Sequence, residues 1–273
     1  MSQQVSSDWG VAAVARGEDR TIRLFGLEIT DTSLAGAASW IVQRASHGIA
    51  TDVAFLNAHC VNVAYRSAAY RAAVAGMSRV FADGAGVRIA ARVAGMDLQD
   101  NVNGTDLFPV LCREAARAGQ SIYLLGARDG IAAAAAATMQ AQSPGLIVAG
   151  THHGYIKGAD DEQRVIDEIN ASGASILLVA LGVPSQELWM ARNRSRLQVP
   201  VVLGVGGLFD YYSGRIARAP MVLRKAGLEW AWRLALEPRR LANRYLVGNA
   251  VFLARLAWLR LLSPGELAAG SAA

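Results

Sequence analysis

Residues 177–220 read LLVALGVPSQELWMARNRSRLQVPVVLGVGGLFDYYSGRIARAP, and their pattern decides the fold. Two short apolar runs, 176–181 and 199–205, each break at glycine and release the chain into a polar loop, as buried parallel strands do at a binding edge. The first loop, Gly182-Val183-Pro184-Ser185-Gln186-Glu187, opens a helix, with Pro184 near its first turn and Glu187 where a negative charge suits the helix dipole. The second, from Gly204 through Gly206 to Asp210, is glycine-rich and ends in Phe209-Asp210-Tyr211-Tyr212. Ligands of open α/β sheets bind beyond the carboxyl ends of the strands, so these loops are the first candidate site.

The same unit recurs upstream. Segment 23–30 alternates around a glycine as a hairpin, and a helix follows over 33–47. A strand at 53–56 stops at Asn57-Ala58-His59, and one at 79–82 stops at Asp83-Gly84-Ala85-Gly86. Gly104-Thr105-Asp106 opens a helix through 118, with Thr105 as its expected cap. A strand at 121–126 ends on Gly126, and Asp129 is expected to cap the alanine-rich helix that follows. A further strand, 146–150, precedes a helix over 161–171. At least six βα units predict an α/β fold: a Rossmann-like, mostly parallel sheet with helices on both faces.

Charge separates the C-terminal part from the rest. Between 214 and 262 stand ten basic residues and two acids, a local net of +8 in a chain whose total is +5. Helices over 223–236 and 241–262, divided by Pro238, are apolar on one face and arginine-rich on the other. The expected organisation is a mobile leader over 1–20, a catalytic domain over 21–213 and a basic amphipathic helical appendage over 214–273. Such a tail points to an anionic partner. Its apolar positions Trp230, Trp232, Phe252, Leu256 and Trp258 suit a membrane face, the core or the interface of a homo-oligomer equally. No run of about 18 uncharged apolar residues marks a spanning helix. No secretory signal is recognisable, and Cys60 and Cys112 read as buried thiols of a reducing compartment, which together predict a cytoplasmic protein.

Several chemistries lack their signatures. There is no Walker lysine, no Gly-x-Gly-x-x-Gly and no Gly-x-Ser-x-Gly elbow. His152 and His153, adjacent on an extended segment, are expected to point to opposite faces and have no third ligand at metal spacing, so no metal and no cofactor are expected. No basic and aromatic strand pair suggests nucleic acid. Asp83, at a strand end before glycine, is either a turn or cap aspartate or a carboxylate placed to take a proton. Asn57 and His59 are loop residues able to hold hydroxyls or phosphate.

The order of the strand tips resembles the WecG/TagA/CpsF glycosyltransferase family: Asn57, Ala82-Asp83-Gly84-Ala85-Gly86-Val87, Gly104-Thr105-Asp106-Leu107, Leu124-Leu125-Gly126, His153-Gly154-Tyr155, Leu181 to Glu187, Gly204 to Asp210, and Arg218-Ala219-Pro220 through Arg239. The likeness runs from about 23 to 255. It implies a bacterial enzyme at the inner face of the membrane, moving a sugar with inversion from a UDP-sugar donor to a polyprenyl-diphosphate-linked sugar acceptor, without a required metal. Carried over by position, Asp83 is the general base, Asn57 and Gln186 contact donor or acceptor, and Arg218, Arg224 and Arg233 bind diphosphate. His59, Asn103, Gly126, Glu187, Gly206 and Asp210 complete the candidate substrate-binding set. The chain departs from the pattern at Phe55, where relatives often carry Thr, and at Asn101, where they often carry Arg; this leaves the sugar open between glucose and N-acetylmannosamine types. The rival expectation is a non-catalytic protein that binds UDP or lipid diphosphate at the membrane.

Overall fold

The computed structural model describes residues 19–262 and 267–270. The expected leader, apart from residues 19 and 20, lies outside them. The chain runs β1 (Arg20–Leu24), β2 (Leu27–Asp31), α1 (Leu34–Ser46), β3 (Thr51–Leu56), α2 (Ala58–Ala64), α3 (Ala68–Ala75), β4 (Arg79–Ala82) and α4 (Ala85–Val93). It continues through α5 (Gly104–Arg117), β5 (Ser121–Gly126), α6 (Ile131–Gln142), β6 (Ile147–His152), α7 (Gly158–Ala171), β7 (Ile176–Ala180), α8 (Ser185–Asn193), β8 (Val201–Gly204) and α9 (Leu208–Tyr212). The tail holds α10 (Met221–Lys225), α11 (Glu229–Leu236), α12 (Pro238–Ala242), a π turn (Asn243–Val247), α13 (Gly248–Leu262) and β9 (Ala268–Gly270).

The sheet order is β6-β5-β7-β8-β3-β4-β2-β1-β9. Strands β6 through β2 are parallel, and β1 turns back antiparallel on β2 as the expected hairpin. Because strand side chains alternate with a period of two, each central strand feeds two cores. Val53, Phe55, Ile122, Leu124, Ile176, Leu178, Val201 and Leu203 face one side, under α1, α5, α6 and α9. Ala54, Leu56, Tyr123, Leu125, Leu177, Val179 and Val202 face the other, under α2, α3, α4, α7 and α8. Helices therefore cover both faces, and the strand tips Asn57, Asp83 and Val205 emerge side by side at the carboxyl edge.

Local expectations were corrected in four places. Asn103, not Thr105, caps α5: its Oδ1 accepts from the Asp106 N–H at 2.8 Å. Gly130, in the left-handed region at φ 74°, caps α6 in place of Asp129, with no side-chain cap bond. The helix expected over 223–236 is two, α10 and α11, separated by a turn at Gly227. Pro238 divides the tail as expected, after α11 ends at Leu236, but the second helical stretch starts at the proline itself rather than at Leu241 and runs to Leu262. A proline costs nothing there because the N–H it lacks would have no partner.

That stretch of 25 residues contains an 18-residue window of mean hydropathy 1.4 and is long and apolar enough by length and composition to cross a membrane. Part of one face is committed elsewhere. Phe252, Leu256 and Leu259 are buried in the core shared with β1, β2, α2 and α4, and the Phe252 ring lies 5.6 Å from that of Phe25. Burying each such side chain contributes about 1.5–3 kcal/mol. Gly86 makes this approach possible, since a Cβ there would stand 3.1 Å from that of Ala58 and 3.5 Å from the Phe252 ring. Of the remaining apolar positions, Trp258, Leu261 and Leu262 are exposed, and Trp230 and Trp232 are half-buried.

Candidate active site

Asp83 lies where β4 ends beside β3. The strands pair Leu56 with Ala82, and the Asp83 N–H donates to the Leu56 carbonyl at 2.9 Å, which sets Asn57 and Asp83 next to one another. Asn57 is fixed through both ends of its amide. Its Oδ1 caps α2, accepting from the N–H groups of His59 and Cys60 at 3.1 and 3.2 Å. The opposite end is thereby aimed at the carboxylate, and Nδ2 donates to Asp83 Oδ2 at 3.0 Å. Asp83 itself caps nothing: the N-cap of α4 is Gly84, in the left-handed region at φ 86°, whose N–H donates to Asn101 Oδ1 at 2.6 Å. The turn-cap reading of Asp83 therefore fails.

Burial pushes the Asp83 carboxyl above the ordinary carboxylate range; the Asn57 hydrogen bond, Arg244 and Arg233 pull it down, and Asp106 pushes it up. The carboxyl is enclosed yet keeps some surface to solvent. A carboxylate in this state is more basic than a free one and remains reachable, the combination a proton acceptor needs. His59 is driven the other way, to about 4, by burial and by Arg244 and Arg66, so its ring is neutral at pH 7.

Gln186 and Glu187 form the second arm. Gln186 Oε1 accepts from the Gly206 N–H at 2.8 Å while its Nε2 donates to Glu187 Oε1 at 2.8 Å. The amide thus ties α8 to the loop after β8, where Gly206 is left-handed at φ 59°. Glu187 is 0% exposed, its Oε2 has no partner, and burial raises its pKa to about 7. Glu187, expected as a negative charge suiting the helix dipole, is a buried carboxyl whose burial favours the neutral form.

The tail closes over these tips. Gly227 approaches α4 so closely that a Cβ would stand 3.0 Å from that of Ala85. Arg218 pairs with Asp106, Arg224 reaches the same Oδ1 at 3.8 Å, and Arg218 Nε faces Glu229 at 3.5 Å. Asn103 Nδ2 donates to the other Asp106 oxygen at 2.6 Å, holding the carboxylate toward the arginines. Arg233 lies 5.0 Å from the Tyr211 ring centroid and against Gly207, where a Cβ would be 2.9 Å from its guanidinium. The buried Nε–H groups of Arg224, Arg233 and Arg244 have no hydrogen-bond partner, and that of Arg218 has only the 3.5 Å ion pair with Glu229. Arg233 and Arg244 act on Asp83, and Arg218 and Arg224 on Asp106, whose charge in turn reaches Asp83, so two carboxylates and four cationic groups meet at this edge.

Asn57, His59, Asp83, Asn103, Gln186, Gly206, Arg218, Arg224 and Arg233 thus gather at the edge formed by β8, β3 and β4. Asp210 lies nearby, 8% exposed and paired with Arg215 at 2.8 Å. Gly126 stands apart at the end of β5, where a Cβ would be 2.5 Å from the Ala180 carbonyl, so it admits a close backbone approach between strands. Arg244 was missed in sequence. In a tail with so many arginines, its selection rests on the π turn over Asn243–Val247, which sequence pattern does not announce. The His152 and His153 rings do not diverge as expected but lie 4.4 Å apart, because β6 ends at His152 and strand alternation ends with it. Among the described residues no three His, Cys, Asp or Glu side chains gather as a metal site.

The fold and site define an α/β protein with a buried carboxylate at the sheet's carboxyl edge and an arginine-rich helical tail beside it. The chain belongs to the glycosyl transferase WecG/TagA/CpsF family, which it matches over residues 22–265. It is 33% identical over 171 residues to the N-acetylglucosaminyldiphosphoundecaprenol N-acetyl-beta-D-mannosaminyltransferase of Bacillus spizizenii. That match covers 63% of this chain and 65% of the relative's length.

Proposed function

We propose that the protein is an inverting glycosyltransferase that moves a hexose or N-acetylhexosamine from a UDP-sugar to a polyprenyl-diphosphate-linked saccharide, in bacterial cell-surface or exopolysaccharide synthesis. The observation that carries this reading is the Asn57-held Asp83 carboxylate, with Arg233 and Arg244 acting on it and Arg218 and Arg224 gathered on neighbouring Asp106. Asp83 takes the proton of the acceptor hydroxyl as its oxygen attacks the anomeric carbon. The bond from that carbon to the UDP oxygen breaks, and the arginines stabilise the negative charge arriving on the diphosphate. One displacement from the face opposite UDP inverts the anomeric centre. Fixed guanidinium groups supply the positive charge that this leaving group requires.

The named relative acts on a diphospho-undecaprenol-linked amino sugar, which supports an acceptor of that chemical type. The donor sugar is the less constrained half. Phe55 is 7% exposed in the core with Phe81, and Asn101 is occupied by the Gly84 N–H, so the family's Thr and Arg contacts at these positions have no counterpart. Exposed apolar tail positions, among them Val222, Leu246 and Leu261, beside the arginines support work at the inner membrane surface as a peripheral cytoplasmic protein.

The test is UDP release from a panel of UDP-sugars, with and without a short-chain lipid-diphosphate-sugar acceptor, in EDTA. Release that depends on acceptor and favours one donor is the expected result. UDP binding without turnover of any donor would overturn the catalytic reading in favour of a binding protein.

A further inference from the structure

At the other end of α2 from Asn57, cationic side chains converge without a counter-ion. Tyr65, the C-cap residue of α2, is 37% exposed. The Arg255 guanidinium from α13 lies 4.0 Å from its ring centroid, and that of Arg71 from α3 lies 5.7 Å away. Arg66, exposed and next in sequence, brings a third charge close enough to act on Arg255. The hydrogen bonds of this group go to neutral acceptors: Arg255 to Asn62 Oδ1, and Arg71 to the Phe25 carbonyl. Among the described residues none of the three arginines has a carboxylate within ion-pair distance. Like charges held together this way repel unless an anion joins them.

The surroundings say which anion. Trp258 and Leu262 follow Arg255 at i+3 and i+7, on the same stripe of α13, and are 51% and 69% exposed. Leu261 beside them is 78% exposed. A free phosphate needs no apolar neighbour, whereas a lipid headgroup brings its acyl chains. Tryptophan at that boundary places an apolar ring below a polar headgroup layer.

We infer that Tyr65, Arg66 and Arg255 form a phosphate seat for the headgroup of an anionic membrane lipid, with Trp258, Leu261 and Leu262 entering the acyl boundary beside it. The seat uses neither Arg233 nor Arg244, the arginines that act on Asp83. It rests on the proposed function only in taking the membrane as the working surface.

The experiment is sedimentation of the full chain with phosphatidylcholine vesicles, with and without phosphatidylglycerol. Wild type is compared with R66Q/R255Q and with R113Q/R117Q, the same charge change on α5. Each interfacial arginine strengthens binding to an anionic surface about fivefold, so the seat pair is expected to lose roughly 25-fold in partitioning and the α5 pair under twofold. An equal loss in both pairs would mean bulk charge and overturn the seat, as would no loss in either. If inorganic phosphate raises the melting midpoint of wild type but not of R66Q/R255Q while vesicle binding is unaffected, the lipid assignment is overturned. Arg66 is exposed, so R66Q alone, with an expected fivefold loss, keeps the test if replacement of Arg255 unfolds the chain. Turnover of a soluble short-chain acceptor by wild type needs no bilayer, so its failure would strike the proposed function and leave the seat to be judged by sedimentation.

Discussion

At the scale of single residues, Glu187 makes the sharpest statement about stability. A carboxyl that titrates at about 7 in the fold against an ordinary 4.5 is held more tightly in its protonated form by the folded chain than by the unfolded one. Its contribution is therefore full below about 4.5 and lost as pH climbs through 7. E187Q removes the titration, so its stability relative to wild type should rise by about 3 kcal/mol between pH 5 and pH 8 in denaturant unfolding. Parallel pH curves for the two proteins would show that Glu187 ionises freely. Sequence could not reveal this, because a glutamate in the first turn of a helix looks the same whether it faces water or a neighbouring helix. Asn57 and Asp83 were legible for the opposite reason: each directly follows an apolar strand, and parallel strand ends share one edge. Thr105 and Asp129 misled because several cap-forming residues stood in a row, and the backbone chose among them by where the chain turned.

At the scale of elements, α13 does two jobs along one helix. Phe252, 1% exposed, packs between α2, α4 and the β1–β2 hairpin, whereas Leu261 at the end of the same helix is 78% exposed. F252A should cost about 3–5 kcal/mol by leaving a cavity, and L261S should stay within about 0.5 kcal/mol. Thermal or chemical unfolding of the two variants distinguishes them; similar losses would mean that the exposed end also packs into the fold. The sequence pattern placed this helix and its two-sided chemistry but left core, membrane and oligomer readings level for its apolar positions. Only the course of the chain after Pro238, through a π turn and back against the Gly86 side of α4, separates Phe252 and Leu256 from Trp258.

At the scale of the whole molecule, the parallel sheet brings chemistry from distant parts of the chain to one edge. Asn57 and Asp83 follow β3 and β4, Gln186 comes from the first turn of α8 and Gly206 from the loop after β8, and the tail brings Arg233 and Arg244 to Asp83 and Arg218 and Arg224 to Asp106. Under the proposed function, proton transfer falls to the sheet and charge stabilisation to the tail, so the two should be separable by substitution. The most direct test is D83N, assayed for UDP affinity and for acceptor-dependent UDP release from the preferred donor. UDP affinity within about twofold of wild type, with turnover reduced at least about 100-fold, is the predicted outcome. Undiminished turnover in D83N would contradict the assignment of Asp83 as the base and with it the account of the site.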